Sequence, residues 1–271
     1  MVKIMNKKIF YVTSEMEPFA SASNLSQNSN SLPLYLQDSS YDVRCLMPKY
    51  GFISERKYIL REVIRLKEIL FNLDSVSYSC SAKSAFLPKN ISSTRLQVYF
   101  LENEDLFGEL NNLLYKSKNG RYLLDNESRY FFYSLASIKM LPNLFWYPDV
   151  IICNGWTSAF IPFLLNHLKN EDSNLSKIKT IYLANSNDNE IILNSSVLNL
   201  NDSIKSKLNT DSYNEVGSSS ADMTIIIDHE IKVSKDLMKK KGFKGNKNCH
   251  ILDSKDENFL KNFSDLIKSV K

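Results

Sequence analysis

Six short apolar runs, most of them followed by a helical pattern, restrict this chain more than any other feature. "KIFYVTS" (8–14), "DVRCLMP" (42–48), "RLQVYFLEN" (95–103), "DVIIC" (149–153), "KIKTIYLANS" (177–186) and "ADMTIIID" (221–228) each read as a strand. Their centres are apolar on consecutive residues, so both faces are meant for burial. Helical patterns follow at Leu25–Gln37, which contains Pro33, at Asp125–Leu141, from Thr157 or Ser158 to His167, and near 230–241. A short strand at 249–252 precedes an amphipathic end in which Phe259, Leu260, Phe263, Leu266, Ile267 and Val270 share one helical face. Strands alternating with helices give βαβ units. The expected fold is α/β, a doubly wound, mostly parallel, Rossmann-like sheet over residues 7–271 as one domain. Periodicity does not decide between helix and strand from Lys49 to Leu87. Residues 187–220, rich in Asn, Ser and Asp, read as an insertion that is irregular, mobile or made of short helices.

In such sheets ligands sit at the carboxyl ends of the strands. Three loops qualify: 14–25, 153–158 and 185–190. The first lies in "YVTSEMEPFASASNLSQNSNSLPLYL" and contains neither glycine nor lysine between Met16 and Leu36. Glu15 ends the first strand, where it orients the loop, binds a hydroxyl, or is a plain surface carboxylate. Asp125 is placed to cap a helix, and neither it nor Glu127 makes an acid/base pair with Glu15 that spacing reveals.

Composition removes several classes. A net charge of +4, with its densest cluster at Lys239–Lys241, Lys244 and Lys247, fits a solvated helix end closed by Gly242 rather than a nucleic-acid stripe. No apolar run reaches the ~18 residues of a membrane span. "MVKIMNKKIFYVTSE" carries no small-residue cleavage site, so a cytoplasmic location is expected. Cys45, Cys80, Cys153 and Cys249 form no CxxC pair, and their apolar settings suit inert thiols. His167, His229 and His250 are scattered, so neither a metal nor a cofactor is expected.

"YVTSEMEPFA" resembles "VTSE..PFAKTGGLADV", the opening of the N-terminal domain of bacterial glycogen and starch synthases, glycosyltransferase family 5. The likeness continues in order. "LPLYLQDSSYDVRCLMPKYGFI" is similar to "LP..L...GHDVRVVLPRYG", and "VYFLENEDLFG" to "VYFLDN..LF". "LLDNESRYFFYSLA" is similar to "GDN.ERF.FFS.A", "WYPDVIICNGWTSAFIPFLL" to "W.PDVIHCHDWHTALVPALL", and "SSADMTIII" to "ADRVTTVS". It spans about residues 7–230, and "FISERKYILREVIRL" resembles a short single-domain variant. The resemblance implies one half of a GT-B type enzyme that moves glucose from ADP-glucose to an α-1,4-glucan, with no cofactor or metal.

The departures fall where the family keeps its charge. Its Lys-Thr-Gly-Gly matches Ser21, Ala22, Ser23 and Asn24, and its His-Asp-Trp-His matches Asn154, Gly155, Trp156 and Thr157. Its later His-Asn matches Asn185 and Ser186. A charge-assisted contact of the kind lysine makes is worth roughly 1.5–3 kcal/mol. The family-equivalent catalytic positions are therefore Asn154 and Thr157; Glu15, Ser21, Asn24, Trp156 and Asn185 are the substrate-binding candidates. Trp156 either stacks on sugar, as Tyr50 could, or packs a helix start. The family's second domain supplies much of the nucleotide site, whereas this sequence ends at Lys271. Weak or absent transfer by this chain alone is expected, with a separate C-terminal-type domain or a homo-oligomer as partner. A non-catalytic glucan-binding or partner-binding protein is the alternative.

Overall fold

A computed structural model of the chain describes residues 7–270 other than 24, 74, 90, 111, 186–190, 192, 194–197, 199–201, 207, 209, 211, 229 and 230. The strands are β1 Lys8–Val12, β2 Asp42–Pro48, β3 Arg61–Glu62, β4 Ile69–Leu73, β5 Val76–Phe86, β6 Gln97–Glu102, β7 Val150–Asn154, β8 Lys179–Ala184, β9 Met223–Asp228 and β10 Cys249–Asp253. The α-helices are α1 Leu25–Asp38, α2 Glu55–Tyr58, α3 Asn126–Lys139, α4 Leu141–Leu144, α5 Phe160–Leu168, α6 Asp202–Lys205, α7 Tyr213–Ser220, α8 Ile231–Met238, α9 Lys241–Lys244 and α10 Phe259–Ser269.

The sheet runs β10-β9-β8-β7-β1-β2-β6-β5-β3, with β4 paired to β5. From β10 to β6 every pairing is parallel; β3 and β4 pair antiparallel with β5, and β5 with β6. The chain leaves β1 for β2 and β6 on one side, then crosses to build β7 to β10 on the other. Strand order therefore reverses at β1, and the crevice beyond the carboxyl ends of β1 and β7 is the switch point. Right-handed crossovers running in opposite directions from β1 put α1 and α3 on opposite faces. Helix α10 joins α1, while α5 lies between α3 and α7. β1, β7 and β9 are buried along almost their whole lengths, as their unbroken apolar runs require.

The stretch with undecided periodicity is β-structure: β4 alternates buried and exposed residues and forms a hairpin with β5. Two local expectations change. Asp125 stands at the N-cap position of α3 but makes no capping bond, because its carboxylate pairs with Arg129 one turn on. Thr157 does not open α5; it lies inside a 3-10 turn, Trp156–Ser158, that precedes the helix. Within 187–220 the structure describes the short helices α6 and α7, and the insertion's remaining character falls largely on residues outside those described.

Candidate functional site

Thr13 follows β1 directly, and Asn154 is the last residue of β7. Both reach Ser29 on α1: Asn154 Nδ2 donates to Ser29 Oγ at 3.0 Å, and the Thr13 hydroxyl lies 2.8 Å from the same oxygen. Ser29 in turn donates to Leu25 O. The position that could face a sugar is thus tied down by the chain itself, and Asn154 is almost wholly buried. Gly155 follows with φ 77°, a left-handed value that suits glycine and turns the backbone sharply away from the strand.

Glu15 is not a surface carboxylate. It is fully buried and accepts four hydrogen bonds: from Ala22 N (2.6 Å), Ser23 N (2.8 Å), Ser23 Oγ (2.9 Å) and Tyr115 Oη (2.8 Å). Burying a charge is costly unless it is saturated in this way. The backbone N–H groups of the loop point inward at this carboxylate, which fixes the loop's path without a lysine or a glycine. The Ser23 hydroxyl also accepts from Leu25 N at the start of α1.

Ser21 is exposed on the same loop, with its hydroxyl 2.8 Å from Ser26 Oγ and donating to Glu17 at 3.3 Å. Through Ser26 and Ser29 of α1, Ser21 and Asn154 are joined by one helix. Asn24 lies outside the described residues. Asn185 is half-buried, and its carbonyl accepts from Asn214, which also accepts from Tyr182 Oη. Thr157 is buried with no hydrogen-bond partner for its hydroxyl among the described residues, as is the Ser14 hydroxyl.

Trp156 packs rather than projects. Tyr115, Tyr130 and Tyr213 meet it edge-on, with ring centroids 5.0–5.1 Å away, and only 2% of it is exposed. Tyr50 is fully buried too and donates to Ser14 O. The exposed aromatic surface belongs to their neighbours. Phe52 stacks on Tyr50 at 5.6 Å and is 41% exposed; Tyr122 stacks on Tyr115 at the rim. Sequence reasoning missed Phe52, Ser29 and Tyr115. Phe52 stood inside the quoted "KYGFI" motif, but nothing local links Tyr115 to a carboxylate 100 residues earlier. Burial holds the Tyr11, Tyr50 and Tyr133 hydroxyls well above the usual phenol range. It also pushes the Cys80 thiol to about 12 and Cys249 to about 11, as inert thiols require. Among the described residues no cluster could hold a metal ion, and no helix is long and apolar enough to cross a membrane.

Among the described residues, the side chains joined through Ser29 and the loop after β1 are hydroxyls, an amide and one saturated carboxylate. They can orient a loop and present polar atoms.

Residues 8–230 match the family model described as starch synthase catalytic domain. A glycogen synthase of Chlorobium limicola is 35% identical over 176 residues, 65% of this chain and 35% of the relative. One from Chlorobium luteolum is 34% identical over the same length and shares. The chain therefore spans about a third of the length of the curated relatives it matches. Among solved structures, the catalytic domain of starch synthase IV from Arabidopsis thaliana bound to ADP and acarbose superposes with a TM-score of 0.69. That match covers 89% of this chain and 48% of the other at 17% identity, a likeness of fold.

Proposed function

This chain belongs to the starch synthase catalytic domain family, and from that premise we propose that it supplies the glucan-facing wall of an ADP-glucose-type glucosyltransferase cleft. The family's reaction lies between two facing domains, and the residues described here form one of them. Transfer then needs the facing domain as well, on the same polypeptide or on a partner. The observation that carries the reading is the Glu15 knot: the loop after β1 keeps a defined path, with the Ser21 side chain exposed at its rim. Ser21 contributes no charge there, and Asn154 is held by Ser29, so transfer by this chain alone is weak or absent. A second reading, glucan binding without transfer, is favoured by Phe52, whose exposed ring is backed by Tyr50 and can stack on a sugar.

Labelled ADP-glucose and glycogen, incubated with the chain, separate these readings. We expect retention on a glycogen affinity gel that Phe52→Ala reduces, and transfer near background. Ser21→Lys adds a cation at an exposed position and leaves stability unchanged. Asn154→His puts a larger ring into a filled site and costs about 1–3 kcal/mol. Rapid transfer by the unmodified chain would refute the weak-activity reading, and indifference to glycogen would refute the glucan wall.

A further inference from the structure

The flank of the sheet carries a groove of about 460 Å³ between the α2–β3 corner and the end of β5, and Tyr58 on its α2 wall donates to Pro18 O of the loop after β1. Its position follows from register. Phe86, on the groove wall, pairs with Gln97, the first residue of β6, so this wall stands at the amino ends of the parallel strands. Lys57, Arg61, Lys89 and Arg95 line it, all exposed, and no acidic side chain lines it among the described residues. None of the four has an ion-pair partner among those residues, although Lys49 and Lys83 nearby share Glu55. The floor is apolar and aromatic. The Arg95 guanidinium lies 4.2 Å over the Phe86 ring, and Lys57 Nζ 4.8 Å over Tyr58. Beyond Phe86 and Arg95 a second hollow of about 340 Å³ shares these two residues and Lys89.

Four unpaired cations around one hollow repel each other until an anion enters. A concave, largely apolar cavity of this size with a few convergent charges has the form of a small-molecule site. A guanidinium already flat on an aromatic ring offers its outer face to another flat ring, and its neighbours can grip phosphate oxygens. We propose that this groove binds a small organic phosphate bearing a flat ring, the chemical class of a nucleotide. The phosphate lies among Lys57, Arg61 and Lys89, and the ring stacks on Arg95 above Phe86. The inference is independent of the glucan reading, because it uses none of its residues.

Isothermal titration with AMP tests it, with inorganic phosphate as the ringless control. Saturable binding is expected, weakening as salt rises. The pair Lys57→Glu and Arg95→Glu should lower AMP affinity by at least about tenfold, the scale of one lost charge-assisted contact. All four cations are on the surface, so melting temperature should hold; Lys89→Glu alone is the second variant, with a smaller loss. Phe86→Ala should weaken AMP and leave inorganic phosphate unchanged. No saturable heat with AMP would overturn the proposal. So would unchanged affinity in the charge-reversed variants, or phosphate binding as tightly as AMP, which would mark an adventitious ion only. An acidic peptide binding where AMP does not would overturn it in favour of a protein partner.

Discussion

Glu15 draws four donors from a short loop and one distant tyrosine onto a single carboxylate. Glu15→Ala would strand the Tyr115 hydroxyl in a buried place and leave two loop N–H groups and the Ser23 hydroxyl without their acceptor. About 3 kcal/mol of stability should be lost, with the midpoint of urea unfolding as the readout. Glu15→Gln keeps the volume but turns an amide N–H₂ towards donors, so a loss of about 2 kcal/mol is expected. If both substitutions leave the midpoint unchanged, the carboxylate does not hold the loop. At this scale the sequence was readable only in part. Glu15 was visible as the end of a strand feeding a loop. Its burial was not, because that depends on Tyr115 arriving from a segment with no periodic pattern. Trp156 and Tyr50 were recognisable as aromatics at strand ends. Which ring faces solvent, theirs or that of Phe52, is decided by stacking that no spacing encodes.

Among the elements, α10 shows how a terminal helix is secured. Its apolar face buries Phe259, Phe263 and Ile267, and it packs on α1 and β10. Lys7, just before β1, donates from Nζ to the carbonyls of Ile267 and Val270. A cation at the C-terminal carbonyls satisfies orphan acceptors and opposes the helix dipole. Lys7→Met should cost about 1 kcal/mol, read by urea unfolding, and speed amide exchange in the last turn of α10 more than in α3. Equal exchange in both helices would argue against the cap. The helix itself was legible from its 3.6-residue pattern, since the apolar stripe must find a surface. The ammonium that closes it was not, because its partner is 260 residues away in sequence. For a like reason the segment containing β3 to β5 stayed ambiguous: half of its residues face water, and only pairing reveals the hairpin.

Across the whole molecule, the mostly parallel α/β sheet was the most accessible property, and the order of its strands was not. Continuous apolar runs require burial on both faces, and right-handed crossovers then leave few arrangements. The loops 14–25 and 153–158 lie at the carboxyl ends of β1 and β7, as the reading of strands followed by loops required, whereas most of 185–190 lies outside the described residues. The core that results is rich in buried phenols, and this has a pH consequence. Tyr11, Tyr50 and Tyr133 titrate higher when folded than the roughly 10 of an unfolded tyrosine, because burial penalises phenolate. A raised folded value means stability is fully present below about pH 10 and falls as pH climbs beyond it. Absorbance at 295 nm should therefore show these phenols ionising together with alkaline unfolding; their ionisation in the still-folded protein would contradict the burial.

The chain has two tryptophans, and they sit in unlike company. Trp146 lies under the Arg44 guanidinium and donates to Asp42 at the start of β2, whereas Trp156 is ringed by phenols from the Tyr115 loop, α3 and α7. Anything that shifts that loop must change the quenching and polarity around one indole and leave the other alone. The protein thus carries its own optical gauge: emission recorded in a Trp146→Phe background would report occupancy of the rim without any added dye.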